Sequence, residues 1–174
     1  MIWVTSDTHF GHNNILKYCG RPYSSVEEMD AALIQNWNQL VSPSDVVYHL
    51  GDFTLRKSAD EYLQQLNGMI RIIPGSHDAW IKKFCLEQYH GRVEILPLYY
   101  SIHSCGKRIV LCHYPMISWE ASNHGSYHLH GHVHGNLDNT PYRFDVGVDT
   151  NNMAPIQLDV LIKSMLLLNS EVEK

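Results

Sequence analysis

Five times along this chain a short apolar run halts at a polar cluster that carries aspartate or histidine. The clusters are Ser6-Asp7-Thr8-His9, Gly51-Asp52, Gly75-Ser76-His77-Asp78, His113 and Gly131-His132-Val133-His134. Each run has the length of a strand, and each cluster falls where that strand would end. Open α/β sheets place their sites there, in the crevice beyond the carboxyl ends of the strands. The pattern thus constrains the fold and the position of the chemistry together.

Residues 2–5, 45–50 and 69–73 read as strands. Between them, helical patterns cover 26–41, where Met29, Leu33, Trp37 and Leu40 recur near helical period, and 58–66, which stops near Gly68. Ser25 with Glu28, and Ser58 with Glu61, have the spacing of capping boxes. A further helix is expected over 79–90, closed by Gly91. This alternation predicts parallel pairing with right-handed crossovers. Downstream, 92–96, 98–103, 107–112, 127–131 and 142–148 read as strands joined by turns, Gly106 suits a hairpin, and 158–168 is a closing helix. The expected fold is an α/β sandwich of two sheets, with no linker or repeat to divide the single domain of residues 1–174.

Charge limits the partners. Thirteen Lys and Arg against eighteen Asp and Glu leave a net charge of −5, which excludes an extended basic footprint for long nucleic acid. A phosphate-bearing substrate must therefore be attracted locally. The twelve histidines ask for a chemical explanation, because imidazole is the side chain that ligates metals or moves protons near neutral pH. Cys19, Cys85, Cys105 and Cys112 are dispersed and read as reduced, mostly buried thiols. The start Met1-Ile2-Trp3-Val4 has no secretory pattern and no apolar stretch has spanning length. A cytoplasmic protein without a membrane partner is the expectation.

Asp7 and His9 stand two apart, which in extended chain points both side chains to one side, and His132 with His134 repeats the spacing. Carboxylate oxygen and neutral imidazole nitrogen suit first-row divalent ions such as Mn, Fe and Zn. An isolated Asp-x-His is more often a turn and cap than a ligand pair; the company of the other clusters favours ligation. His12 is open between a substrate contact and a polar wall. His128 and His130 continue the alternation into His132, so register by itself does not separate them from ligands. His49 reads as a satisfied core residue and His90, His103 and His124 as surface or turn residues. Arg143 and Asp149 border the last strand and could face the site mouth, with surface pairing the favoured reading, and Trp37, Trp80 and Trp119 read as core filling.

Taken in order, Asp7-x-His9, Gly51-Asp52, Gly75-Ser76-His77-Asp78, His113 and Gly131-His132-x-His134 resemble the motifs of the calcineurin-like metallophosphoesterase superfamily, over residues 7–134. The resemblance implies a four-layer α/β/β/α sandwich with two mixed sheets and the site at strand carboxyl ends. It also implies two divalent ions, manganese first, with iron, zinc, nickel or magnesium as alternatives. By position, Asp7, His9 and His134 resemble the ligands of one metal and His113 and His132 those of the other, with Asp52 bridging. His77 resembles the histidine that contacts phosphate and protonates the leaving oxygen, with Asp78 to orient its ring. The implied activity is hydrolysis of a phosphate ester, a phosphodiester of nucleotide or small nucleic-acid type. A phosphomonoesterase, a protein phosphatase, or a catalytically weakened binding scaffold are the alternatives. One position departs from the pattern: the superfamily motif has asparagine where this chain has Ser76. A shorter hydroxyl there implies a weaker second metal site.

Overall fold

The computed structural model describes residues 1–172. Its first sheet is built from β1 (Ile2–Thr5), β2 (Val46–His49), β3 (Met69–Ile72) and β4 (Val93–Ile95). They lie parallel in the order β4-β3-β2-β1. The two-residue β9 (Ile156–Gln157), too short to leave a periodic signal, adds antiparallel to β1 and makes the sheet mixed. The second sheet has the order β5 (Tyr99–Ser104), β6 (Lys107–Cys112), β7 (Tyr127–His130), β8 (Arg143–Asp145).

β5 and β6 form the expected hairpin, turning at Cys105 and Gly106, both at positive φ as a tight two-residue turn requires. The strands that follow are not joined by simple turns. β6, β7 and β8 are parallel, so the chain must cross back through 113–126 and 131–142, because parallel neighbours need a long connection. Those crossings carry His113, His132 and His134.

The helices are α1 (Ile15–Tyr18), α2 (Val26–Leu40), α3 (Asp60–Leu63) and α4 (Leu158–Val172). At the start of α2 the Ser25 hydroxyl accepts Glu28 N–H at 3.2 Å, as its spacing predicts, while the Glu28 carboxylate reaches Ser24 N–H instead of Ser25. Met29, Leu33 and Trp37 of α2 pack with Phe53, Ile70 and Ile72 on one face of the first sheet. Between the sheets, Val4, Leu50 and Ile73 meet Ile109, Leu111 and Leu129, and α4 adds Leu158, Leu161, Ile162 and Met165. Dispersed transfer of these side chains from water is what clamps the sheets together. The far face of the second sheet is covered by the 114–126 segment, whose Trp119 ring lies 5.3 Å from that of His128. The whole is the expected α/β sandwich of two mixed sheets.

Residues 79–90 do not form the expected helix; they make two 3-10 turns, Ala79–Lys83 and Leu86–Tyr89, separated by extended Phe84 and Cys85. The reason lies at both ends. Asp78 would be the N-cap of a helix, yet its carboxylate is turned back to Asp52 N–H and Gly75 N–H, each at 2.8 Å. Trp80, Phe84 and Tyr89 must also reach one core cluster, with ring centroids 4.9 and 5.3 Å apart along the series. One straight helix would not deliver both. The cysteines are all free, but Cys85 and Cys105 are exposed and Cys19 and Cys112 half-buried, so they are not the mostly buried set expected.

Candidate metal centre

The loops after β1, β2 and β3 leave one edge of the first sheet together, because Thr5 pairs with His49 and His49 with Ile72. Backbone bonds then tie the first two loops: Asp7 N–H to Gly51 O and His9 N–H to Asp52 O, both 3.0 Å. The expected extended geometry at Asp7-x-His9 and His132-x-His134 is not what forms. Asp7, His9, Asp52, His132 and His134 all adopt left-handed backbone, with φ between 48° and 73°. That conformation is uncommon for non-glycine residues and costs on the order of 1 kcal/mol each. The loops coil around a common centre instead of running past it.

Two glycines let the loops approach so closely. A Cβ on Gly131 would sit 2.0 Å from Ser6 Oγ and 2.3 Å from Asp7 Oδ2, and one on Gly51, at φ +93°, 2.5 Å from Gly75 N. No side chain fits at either position.

Two groups of donor atoms result. Asp7, His9 and His134 form one, and Asp52, His113 and His132 the other; within each, ligand-capable atoms lie within 4.8 Å of one another. Asp52 stands between them: its Oδ2 is 3.7 Å from His9 Nε2 and 3.5 Å from His113 Nε2. Its Oδ1 accepts His77 N–H at 2.8 Å, and the Ser76 hydroxyl donates to the carboxylate at 3.2 Å. Asp7 accepts His132 N–H at 2.9 Å. His113 Nδ1 lies 2.8 Å from Leu50 O, a carbonyl, so that nitrogen carries the proton and Nε2 presents its lone pair to the centre.

Burial dominates the electrostatics. It pushes the Asp7 carboxyl up to about 7 and the His9 imidazole down to about 3. At Asp52 burial also raises, but the neighbouring His113 and the His77 N–H outweigh it, and the carboxyl stays well below the ordinary range. At His113 burial lowers, and Asp52 outweighs it in the other direction. Burial lowers His132. Both nitrogens of His9, and Nε2 of His113, are buried without any hydrogen-bond partner. A native interior seldom leaves such atoms unmatched, since each costs roughly 1–3 kcal/mol. Neutral imidazoles with free lone pairs beside two carboxylates fit divalent cations.

The family model for calcineurin-like phosphoesterases matches residues 1–136. The chain belongs to that family. Calcineurin-like phosphoesterases hydrolyse phosphate esters with divalent metal ions, and this chain is accordingly a metal-dependent phosphoesterase. It is similar to an uncharacterized protein of Methanocaldococcus jannaschii, 39% identical over 93% of this chain and 89% of that one. The gene 66 protein of Mycobacterium phage L5 is 26% identical over 76% of each chain. Among solved structures, a protein of unknown function from Aquifex aeolicus superposes with a TM-score of 0.72 at 26% identity, covering 94% of this chain and 98% of its own. Among the described residues, no helix is long and apolar enough to cross a membrane.

In this calcineurin-like phosphoesterase the remaining candidates fall into place around the two groups. His77 is half-exposed at the mouth, its Nε2 3.9 Å from Asp52 Oδ2. Asp78 is not positioned as expected to orient the His77 ring. Its two oxygens are occupied by the N–H groups of Asp52, Phe53 and Gly75 and by the Trp80 indole, all within 2.9 Å. It therefore holds the loops that carry Asp52 and His77. The His12 ring lies 5.4 Å from that of His9, with a buried, unpartnered Nδ1. His49 is satisfied by Thr8 Oγ1 and Gly51 N–H, as expected of a core residue. His128 bonds to Val110 O and Met116 N–H, and His130 to Gly131 O, outside both groups.

Asp149 lies beside the first donor group, the lesser of the two sequence expectations for it. It is not in a surface pair with Arg143; it accepts His134 Nδ1–H at 2.6 Å and both Nε and Nη2 of buried Arg21, at 2.7 and 2.8 Å. Arg21 also donates to Thr8 O and Asp7 O. Carboxylates that hold the second nitrogen of a ligating histidine fix its tautomer and ring plane. Burial pushes the His134 imidazole down, but Asp149 reverses this and raises it, while Asp149 itself is held near 2 by His134 and Arg21 against its own burial. No local signal pairs Arg21 with a residue 128 positions away. Cys19 also groups with His134 and Asp149. Burial and the Asp149 charge push that thiol up to about 11, so it is protonated near neutral pH in the metal-free chain.

Proposed function

We propose that this phosphoesterase hydrolyses phosphodiesters of nucleotide or small nucleic-acid type at a dinuclear centre, with manganese the first choice of metal and residues 1–174 acting as one domain. Asp7, His9 and His134 would hold one ion, His113 and His132 the other, with Asp52 shared and Ser76 beside it. One observation carries this reading: a single Asp52 oxygen lies within 3.7 Å of a histidine nitrogen from each group. Bound there, divalent ions supply Lewis-acid polarisation of the phosphoryl group and activation of water at neutral pH. The chain's own residues do the rest. His77 stands at the open side of Asp52, where it can contact the phosphate and protonate the leaving oxygen. Asp78 acts through the backbone of Asp52 and Gly75, keeping the loop that bears His77 at that distance. Matched mono- and diesters assayed with Mn test the substrate part, and a pure monoester preference would overturn it.

The acid role of His77 has its own test. His77→Ala is expected to lower kcat by about 10²–10⁴ on a diester with an alkoxide leaving group. The loss should be much smaller with p-nitrophenolate, which leaves without a proton, and metal content should not change. Equal losses on both substrates would remove the proton-transfer role.

Ser76 gives a milder effect in the opposite direction. Its hydroxyl donates to Asp52 at 3.2 Å and sits on a shorter side chain than asparagine's, whose amide carbonyl reaches farther toward an ion. Ser76→Asn is expected to tighten the weaker of two metal-binding steps by about 10-fold, within the range that supporting residues of metal sites command. Calorimetric titration with Mn reads this directly; unchanged affinity and rate would take Ser76 out of the mechanism.

A further inference from the structure

Beside His77 the surface dips into a depression of about 290 Å³, lined by Leu55, Arg56, Lys57, His77, Trp80 and Lys83. Trp80 is buried, its indole anchored on Asp78, so the floor is rigid and joined to the loop that carries His77. The wall is cationic in a chain whose net charge is −5. Lys57 and Lys83 are exposed, and among the described residues neither takes part in an ion pair. Arg56 is less free, because Tyr62, Asp30 and Glu61 draw on its charge. Larger depressions exist, such as one of about 530 Å³ bordered by Gln64, Asn67, His90 and Arg92, but it lies near the starts of β3 and β4, at the opposite end from the donor groups.

We propose that this depression is a subsite for a second phosphate, and that the preferred substrate is a phosphodiester whose leaving alcohol carries a phosphate of its own. The inference rests on the reading of His77 as the residue facing the leaving oxygen. Once the scissile phosphate sits against Asp52 and its neighbours, the leaving group must extend past His77, and the next surface it meets is this one. Two lysines without carboxylate partners there attract an anion that the rest of the protein repels. The volume sits at the lower edge of small-molecule pockets, roughly 300–1,000 Å³. It suits one phosphate with its sugar and not a long strand, in keeping with the absence of an extended basic footprint.

The test compares a thymidine dinucleotide carrying a 5′- or a 3′-terminal phosphate with the same dinucleotide lacking it, using Mn-loaded protein. One of the phosphorylated forms is expected to show kcat/KM about 10-fold higher, an advantage that fades with salt as charge pairing does. In Lys57→Gln/Lys83→Gln that ratio should fall to about 2-fold or less, and in Lys57→Arg/Lys83→Arg it should persist. A separate arm needs no turnover: thymidine 3′,5′-bisphosphate titrated onto metal-stripped protein should perturb the amide resonances of residues 55–57 and 80–83 in the parent chain and not in the glutamine variant. Equal kcat/KM for all three dinucleotides, or bisphosphate shifts that survive the glutamine variant, would overturn the subsite while leaving the phosphodiesterase reading intact. No hydrolysis of any dinucleotide would overturn that reading instead, and the bisphosphate titration would still decide the subsite.

Discussion

Replacing Asp52 by asparagine is expected to lower kcat/KM by a factor on the order of 10³ or more, equivalent to about 4 kcal/mol of barrier, and to leave at most one tightly held ion per chain. The carboxylate is buried and stands within 3.7 Å of both His9 Nε2 and His113 Nε2. Asparagine keeps the shape and can still accept His77 N–H, so the loops should stay folded. What it removes is the one negative charge common to both donor groups. Its amide also presents hydrogens to imidazole nitrogens that have no other partner in the interior. Metal analysis by mass spectrometry and turnover of a diester read the two consequences separately. Two retained ions with a rate within tenfold of the parent would remove Asp52 as the shared ligand.

Asp7→Asn is expected to act in opposite directions on activity and on metal-free stability. Burial pushes the Asp7 carboxyl up to about 7 from an ordinary 3.8. Holding it ionised at pH 8 therefore costs the metal-stripped fold about 4 kcal/mol at most, at 1.36 kcal/mol per pKa unit. The unfolded chain, with a carboxyl near 3.8, bears no such cost. The penalty is complete above pH 7, shrinks as pH falls through the range 7 to 4 and Asp7 gains its proton, and vanishes below the unfolded value. An amide pays its own burial cost, partly offset because its oxygen still accepts His132 N–H. A net gain of about 1–3 kcal/mol at pH 8 should raise the metal-free melting temperature by roughly 3–10 °C, with little gain near pH 4. Adding Mn should reverse the order, since the parent chain keeps both donor groups and gains more from a ligand that binds the folded state. Thermal melts with chelator and with Mn at pH 8 and pH 4.5 check all of this. A variant less stable than the parent at pH 8 without metal would show that Asp7 is not the strained charge described.

Much of the architecture was legible because its determinants are local. β1, β2 and β3 are short apolar runs, α2 has a capped start and a Met29-Leu33-Trp37 face, and both signals survive folding almost unchanged. The polar clusters were legible for the same reason: each begins where a strand's burial pattern ends. Where tertiary packing competes with local preference, the reading failed. The 79–90 stretch has helical spacing, but Asp78 is drawn to three backbone N–H groups and three aromatic rings are drawn into one core. The turns expected between β6, β7 and β8 became crossings, because nothing in a strand's own residues states which way its neighbour runs.

The sequence by itself determined that Asp7, His9, Asp52, His113, His132 and His134 would stand at strand ends, since hydrophobic periodicity and its interruption are properties of adjacent residues. Only the tertiary structure decided that five of these six adopt left-handed backbone, that Asp52 lies between the two groups, and that Arg21 and Asp149 brace His134. The physical reason is range. Burial that moves Asp7 and His9 so far from their ordinary pKa values, and an ion pair spanning 128 positions, arise only after distant segments have excluded water from a common interior.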